Sequence, residues 1–183
     1  MAAPAQVVIS EDAEPASQAE AFRRLAEQRL DRAYRLATAI LHDTAEAEDA
    51  THDAFVLAWR SWRTLRDPAR FDAWFDRILV NVCRNRLRWA GRRRQSDLTP
   101  ELVGYSPDPY RAAGERDAVE GAMRALSPEQ RIVVVLRFYC DLSVEETAAR
   151  MGIPTGTVKS RLHHALKRLG IALSEAEIEE LVR

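Results

Sequence analysis

The sequence predicts an all-α fold made of two small helical domains joined by a flexible linker. Apolar residues recur along most of the chain at the i, i+3, i+4 spacing of one face of an α-helix. Residue pairs with capping-box spacing stand before several of these segments. The short run "IVVV" could form a strand, but helical segments flank it. With 183 residues, 46% hydrophobic and 30% charged, the chain has the length and composition of a soluble protein with two small cores.

The chain begins with a segment that we expect to be a disordered acidic tail. Residues 1–17 mix alanine, proline, glutamate and serine and show little periodicity. Ser17 and Glu20 then have the spacing of a capping box, which predicts the start of the first helix. From there, apolar residues keep helical spacing up to Ile40.

The second predicted helix carries acidic residues in its first turns and aromatic residues further along. Asp43 and Glu46 have cap spacing, and we expect the helix to run from about 44 to about 63. The helix dipole favours acidic side chains at this end. Three aromatic residues at helical spacing predict its apolar face, namely Phe55, Trp59 and Trp62.

A third helix follows the break at "TLRDP". Asp67 can cap it, Pro68 suits its first turn, and an amphipathic pattern continues to Gly91. The three helices together predict a compact bundle over residues 18–92. Residues 93–114, rich in proline and glycine, are expected to form the linker. About 20 residues at about 3.3 Å each can span about 65 Å, so the two domains can stand well apart.

The second domain is predicted as a four-helix unit over residues 115–171, followed by a short tail at 172–183. Its last two helices have the pattern of a helix-turn-helix. Gly152 permits the turn, while Val158 and Leu162 pack inward four residues apart. The remaining side chains of the last helix are available to the major groove of DNA and to its phosphates. These candidates are Thr157, Lys159, Ser160, Arg161, His163, His164 and Lys167.

Charges are segregated along the chain although the formal net charge is only −1. Residues 43–53 carry five acidic side chains and no lysine or arginine. Residues 84–94 carry six arginines and no acidic residue. The two lysines of the chain, Lys159 and Lys167, both lie in the last helix. The sequence therefore predicts one acidic surface and two separate cationic surfaces, whose local fields decide what each attracts.

Several classes of protein are disfavoured. Cys83 and Cys140 are the only cysteines and lie in apolar helical patterns, so we expect two buried thiols rather than a disulfide or a zinc site. His163 and His164 point about 100° apart on a helix, which suits a single metal ion poorly. We expect no metal, no cofactor and no enzymatic activity, since no catalytic triad, metal spacing or phosphate loop is apparent. No apolar run approaches the roughly 18 residues that span a bilayer, and no secretory signal is present, which predicts a cytoplasmic protein without membrane contact of its own.

Two segments resemble a known family. "AEDATHDAFVLAWRSWRTLRDPARFDAWFDRILVNVCRNRLR" is similar to region 2 of the bacterial RNA polymerase sigma factors, and "LSPEQRIVVVLRFYCDLSVEETAARMGIPTGTVKSRLHHALKRL" is similar to region 4. The linker joins them directly, without room for region 3, which resembles the layout of the extracytoplasmic-function group. The resemblance covers roughly residues 20–170. It implies a factor that binds core RNA polymerase, directs it to promoters and helps to melt promoter DNA.

The resemblance implies a docking surface for the polymerase on the second helix. In the family this helix binds the clamp helices of the largest polymerase subunit, and region 4 binds the flap of the second-largest subunit. An acidic helix with aromatic anchors suits a basic coiled coil. The matching polymerase-binding positions are Asp49, Asp53, Phe55 and Trp59.

The resemblance also assigns the −10 promoter element to the loop "RTLRDPAR" and the third helix. Asn81 and Asn85 share a helix face, where their amide groups can pair with a base. Neighbouring arginines can hold the backbone and stack on bases. The −10 positions are Leu65, Arg66, Arg77, Asn81, Arg84, Asn85 and Arg88.

Region 4 of the family reads the −35 element as duplex DNA. The matching positions are the candidates of the last helix named above, from Thr157 to Lys167. The resemblance further implies an anti-sigma factor that silences the protein by covering its acidic and basic faces.

Two other interpretations remain open. A stand-alone helix-turn-helix regulator would not need the acidic second helix, the asparagine and arginine residues of the third helix, or the long linker. A sigma mimic that only titrates an anti-sigma factor would keep the docking surface but would not need the basic helices. Transcription with purified core polymerase distinguishes a sigma factor from both.

Overall fold

The computed structural model describes residues 15–96 and 115–172. Within these ranges the structure is helical and contains no strand, which confirms the predicted fold class. The α-helices are α1 (Pro15–Leu41), α2 (Thr44–Arg60), α3 (Phe71–Ser96), α4 (Glu115–Arg124), α5 (Pro128–Val134), α6 (Val144–Met151) and α7 (Thr155–Ala172). Most of the predicted N-terminal tail, linker and C-terminal tail lies outside the described residues. No helix in the described ranges is both long and apolar enough to cross a membrane.

The first domain is a bundle of α1, α2 and α3, in which α2 presents alanine to its neighbours. Four fully buried alanines one turn apart let α1 and α3 approach α2 closely, namely Ala47, Ala50, Ala54 and Ala58. The large core side chains come from α3, where Phe71, Phe75 and Leu79 are buried at i, i+4 and i+8. The expectation of an aromatic inner face on α2 was therefore wrong in part, since Trp59 is 45% exposed.

Helix boundaries in this domain differ from the expected ones. α1 begins at Pro15, two residues before the proposed cap at Ser17. α2 ends at Arg60, where the Ser61 hydroxyl donates to Leu57 O at 2.6 Å and a 3-10 turn follows. α3 runs through Gly91 to Ser96, into the expected linker. Arginine and glutamine are good helix formers, and a single glycine costs only about 1 kcal/mol.

The second domain confirms its predicted caps. Ser127 and Gln130 form a complete capping box before α5, and Ser143 and Glu146 form another before α6. Gly152 has φ +65° and ends α6 in the left-handed region, which permits the tight turn into α7. The core between α5 and α7 contains Ile132, Val133, Leu136, Val158 and Ala165, all fully buried.

A π-helical turn follows α5 and was not predicted. It covers Val135–Tyr139 and is closed by the bond from Cys140 N to Val135 O at 3.1 Å. The run "IVVV" is helical, as its flanks suggested. The wider turn exposes Phe138 and Tyr139 beside buried Val135.

The two domains contact each other in the structure. α3 packs against α5 and α6, and α1 packs against the π-helical turn. The sequence predicted only that the domains can separate. Their contact depends on side chains far apart in the chain, such as Arg150 of α6 and Asp76 of α3, which lie 3.4 Å apart.

Candidate functional site

The outer side of α2 carries three carboxylates on successive turns, Glu46, Asp49 and Asp53, which we call the acidic face. The side chains of Asp49 and Asp53 are 73% and 52% exposed. The Asp43 carboxylate caps the helix by accepting from Glu46 N at 2.9 Å, which fixes the first turn. The predicted docking acids therefore lie together on one accessible helix surface.

Arg86 of α3 binds all three carboxylates of the acidic face and was not predicted as a functional residue. Its guanidinium lies 2.6 Å from Glu46 Oε2, 2.6 Å from Asp53 Oδ2 and 3.8 Å from Asp49 Oδ2. Burial disfavours its charge, but the hydrogen bonds to Asp53 and Glu46 raise the pKa of Arg86 above its usual value. One cation thus faces three anions, and the face keeps a net negative charge.

The two predicted aromatic anchors have different environments. Phe55 is half-buried and stacks on Phe75, with ring centroids 4.4 Å apart. Trp59 is exposed on one side and contacts Phe22 on the other at 5.2 Å. Leu57 and Trp89, which were not predicted as functional residues, are exposed beside the acidic face and line an open groove between α2 and α3. Trp59 is therefore better placed than Phe55 to meet a partner.

Three predicted −10 arginines of α3, Arg77, Arg84 and Arg88, lie near residues of the second domain, whereas Asn85 lines the open groove between α2 and α3. Asn81 Oδ1 accepts a hydrogen bond from Arg84, which holds the two side chains together. Burial and the nearby charges of Arg88, Arg161 and Arg77 lower the pKa of Arg84, while Glu129 opposes this effect. Arg77, Asn85 and Arg88 are exposed, whereas Asn81 and Arg84 are half-buried.

The loop before α3 places its two predicted residues differently. Arg66 is exposed, whereas Leu65 is 5% exposed and belongs to the hydrophobic core. A leucine side chain held in the core cannot touch a base unless the loop rearranges. Asp67 shapes the loop by accepting from Ala69 N at 2.9 Å. Leu65 therefore does not belong to the accessible surface of this loop.

α7 presents most of its predicted residues to solvent. Lys159, Ser160, His163, His164 and Lys167 are exposed on one side of the helix, as expected when Val158 faces the core. Thr157 and Arg161 are half-buried. Arg161 Nη1 is buried and has no hydrogen-bond partner among the described residues. Arg161 thus faces inward, and the exposed residues form the accessible cationic surface of α7.

The thiols and imidazoles do not form a metal centre in the described residues. The rings of His163 and His164 are 5.5 Å apart and nearly perpendicular. No group of three or more potential ligands occurs in residues 15–96 or 115–172. Cys83 is buried as predicted, and burial raises its pKa to about 12. Cys140 is only half-buried, because it lies at the end of the π-helical turn.

Comparison with family models identifies both domains. Residues 25–93 match the model for "Sigma-70 region 2", and residues 116–169 match the model for "Sigma-70, region 4". The first range contains α2 and most of α3. The second contains nearly all of α4 to α7.

Relatives of known name match over most of the chain. RNA polymerase sigma-E factor of Streptomyces coelicolor is 34% identical over 81% of this chain and 83% of its own length. ECF RNA polymerase sigma factor SigL of Mycobacterium tuberculosis is 33% identical over 87% of this chain and 93% of its own length.

Solved structures give the same result. The chain is similar to the sigma factor RpoE in complex with the anti-sigma factor NepR from Bartonella quintana, with a TM-score of 0.66 and 28% identity over 84% of this chain and 97% of that chain. It is also similar to CnrH in complex with the cytosolic domain of CnrY, with a TM-score of 0.58 and 26% identity over 84% of this chain and 87% of that chain. Both domains, in their order along the chain, are those of one family. The chain therefore belongs to the extracytoplasmic-function group of bacterial RNA polymerase sigma factors.

Proposed function

We propose that the chain binds core RNA polymerase through α2 and places α3 on the −10 element and α7 on the −35 element of a promoter. Family membership supports transcription initiation as its role. One observation supports the residue assignments: the acidic face lies on α2, and the two cationic surfaces lie on α3 and α7. Each surface can then meet a different partner at the same time.

The acidic face docks on a basic helical surface of the polymerase. Asp49 and Asp53 are exposed, so they attract a cationic partner over a distance and steer its approach. Exposed Trp59, and separately Leu57 and Trp89 in the groove between α2 and α3, supply apolar surface that is buried on contact. Arg86 holds the carboxylates in position until a cation of the partner shares them.

The −10 element is held as a single strand along α3. The amide groups of Asn81 and Asn85 lie on one face and can read a base that has left the stack. Arg77, Arg84 and Arg88 surround them with positive charge for the backbone. This division of amide and guanidinium groups suits a melted strand better than a duplex.

The −35 element is read as a duplex by α7. Lys159 and Ser160 lie near the start of the helix, where a recognition helix meets base edges and phosphates. His163, His164 and Lys167 continue the same exposed side. Region 4 as a whole also binds the polymerase flap in this proposal.

An anti-sigma factor is the proposed regulator. One solved protein similar to this chain, RpoE of Bartonella quintana, is in complex with the anti-sigma factor NepR. An inhibitor that covers both the acidic face and α7 would block the polymerase and the DNA together.

A binding titration with purified core polymerase tests the docking assignment. Asp49→Lys combined with Asp53→Lys should raise the dissociation constant at least about tenfold, because it reverses the charge that meets the clamp. Asp31→Lys, at an exposed position of α1, is the matched control and should bind as the wild type does. Equal affinity of the double variant and the wild type would refute docking through the acidic face.

A further inference from the structure

We propose that the protein binds a small phosphate-bearing anion between its two domains, held by Arg84 of α3 and Arg161 of α7. Two further arginines of α3, Arg77 and Arg88, are close enough for their charges to act on Arg84, and we call the four side chains the arginine cluster. The ligand is a compact oxyanion: free phosphate, a longer inorganic phosphate, or the phosphate chain of a nucleotide. The site does not depend on the proposed function, whereas its effect on promoter binding does.

Arg161 carries the observation that points to a ligand. The residue is half-buried on α7, and its Nη1 is buried without a hydrogen-bond partner in residues 15–96 or 115–172. A guanidinium carries five N–H donors and keeps its positive charge at any pH that a folded protein tolerates. A buried donor of a charged group is costly to leave unpaired. An anion beside Nη1 would satisfy this donor and compensate its charge.

The three arginines of α3 form a row that faces the second domain. Arg77, Arg84 and Arg88 stand at i, i+7 and i+11, which places them along one side of the helix. At one end of the row, a Cβ at Gly152 would lie 3.2 Å from Arg77 Nη2. At the other end, Arg88 Nε donates to Glu129 Oε1 at 2.8 Å. The middle of the row, Arg84, therefore lies at the boundary between the domains.

Positive charge exceeds negative charge in the arginine cluster. Burial lowers the pKa of Arg84, and the charges of Arg88, Arg161 and Arg77 lower it further. Glu129 opposes this effect, but its carboxylate already accepts hydrogen bonds from Arg88. Against these four cations Glu129 supplies one negative charge. The field at the cluster therefore favours an anion.

Asn81 holds Arg84 in place without neutralising it. Its Oδ1 accepts a hydrogen bond from Arg84, and an amide carries no charge. Arg86, on the other side of α3, shows the contrast. It lies 2.6 Å from the carboxylates of both Glu46 and Asp53, and its pKa is raised although burial opposes this. Arg84 is thus positioned like a binding residue, with donors directed by a neutral neighbour and a charge still to be compensated.

A phosphate group fits the donors of this site. Guanidinium groups bind phosphate oxygens through paired, charge-assisted hydrogen bonds. A phosphate directs its oxygens tetrahedrally, so it can accept from Arg84 and Arg161 on two sides at once. Thr157 lies one turn before Arg161 on the same side of α7 and is half-buried, so its hydroxyl can add a third donor.

The packing around the site limits the size of the ligand. α3 packs against α5 and α6, and Arg161 faces inward from α7. A DNA duplex does not enter between packed helices, whereas a phosphate or a short phosphate chain needs only the space between two guanidinium groups. The ligand is therefore a small molecule rather than a nucleic acid.

Binding of such an anion would compete with DNA. Arg84 belongs to the proposed −10 surface, and Arg161 comes from the helix proposed to read the −35 element. A ligand that engages both residues removes them from contact with promoter phosphates. This consequence rests on the proposed function, and the affinity for the anion does not.

Titration calorimetry of the full-length chain tests the site, with pyrophosphate as the probe and with sodium chloride holding the ionic strength constant. We expect one pyrophosphate to bind per chain, more tightly than inorganic phosphate because it carries more charge. Inorganic tripolyphosphate and ATP, both without divalent metal, identify the source of the phosphate. Tighter binding of ATP indicates a nucleotide ligand, and equal binding indicates an inorganic one. Either result supports the site.

Arg161→Gln should raise the dissociation constant for pyrophosphate at least about tenfold, which is the order of effect of losing a charge-assisted hydrogen bond. Arg24→Gln is the matched control. It also removes one arginine, from an exposed position of α1, and should bind pyrophosphate as the wild type does. The control separates a specific site from a general attraction of anions to a chain with many arginines.

Two results would overturn the proposal. One is a wild-type chain that binds no pyrophosphate at constant ionic strength, a result that needs no variant and so does not depend on variant folding. The other is a folded Arg161→Gln chain with the affinity of the wild type. Neither measurement uses polymerase or DNA, so a failure of core binding would count against the proposed function and leave the anion site supported.

Discussion

Two arginines of α3, Arg86 and Arg88, contact different surfaces of the molecule. Arg86 and Arg88 stand two positions apart in the same basic run, yet they bind opposite parts of the molecule: the acidic face of α2 and Glu129 of α5. A helix turns about 100° per residue, so two positions separate the side chains by about 200°. The sequence predicted the charge of this run correctly but treated it as one surface. The acidic partners of these two arginines are 33 to 41 residues away in the sequence, so the sequence around the arginines does not reveal them.

Lys159→Ala should weaken the binding of the polymerase complex to promoter DNA and reduce the slope of log affinity against log salt by about one. Lys159 is exposed on α7, and a lysine that neutralises a phosphate releases about one counterion. Fluorescence anisotropy over a range of salt concentrations measures both quantities. Arg137→Ala removes a charge from the π-helical turn of the same domain, outside α7, and should change neither. An unaltered slope for Lys159→Ala would exclude its phosphate contact.

Glu129 should make stability depend on pH in the acidic range. Burial disfavours its charge, but the hydrogen bond from Arg88 and the charges of Arg88 and Arg161 lower its pKa below the usual value. A carboxyl group with a lowered pKa in the folded state stabilises the fold above its unfolded pKa of about 4.3 and loses this effect as pH falls through the folded value. From about pH 5 to pH 3, the free energy of unfolding of Glu129→Gln should therefore fall less than that of the wild type, as measured by urea denaturation. Parallel pH profiles for the two proteins would contradict this.

Helix caps were the elements most visible in the sequence. Asp43, Ser127 and Ser143 each accept from the backbone three residues later, as their spacing predicted. Such bonds depend on a few neighbouring residues, so local sequence specifies them. The inner alanine face of α2 was not predicted, because small residues carry little hydrophobic signal and are selected by how closely helices approach. The π-helical turn at Val135–Tyr139 has no local signature either.

Gly152→Ala should destabilise the second domain by about 1–2 kcal/mol, because φ at this position is +65° and a Cβ is strained there. The nearest group is the mobile end of Arg77, so backbone strain accounts for most of the effect. Gly156→Ala is the matched control, since no atom lies within 4 Å of its added Cβ and the residue is in α7. It should be neutral or stabilising by up to about 1 kcal/mol. Denaturant titration of the two variants decides the matter, and equal stabilities would rule out strain at the turn.

At the scale of the whole molecule, the sequence predicted two helical domains and the charge of three surfaces, but not how the domains meet. Asp76 illustrates the reason. It occupies an ordinary position in an amphipathic helix, and its burial becomes clear only when Arg32 and Arg150 are seen beside it. Sequence periodicity identifies which side of a helix is apolar, but a buried ion pair between domains depends on contacts across 74 residues of chain.

Run-off transcription with purified core polymerase and this chain tests the central claim most directly. On a template that carries its own promoter, the wild type should produce transcripts from one defined start point, which core polymerase alone does not use. Loss of that transcript with Asp49→Lys and Asp53→Lys, and its retention with Asp31→Lys, is the predicted pattern. Start points that remain those of core polymerase alone, with a folded wild-type chain present in excess, would contradict the account.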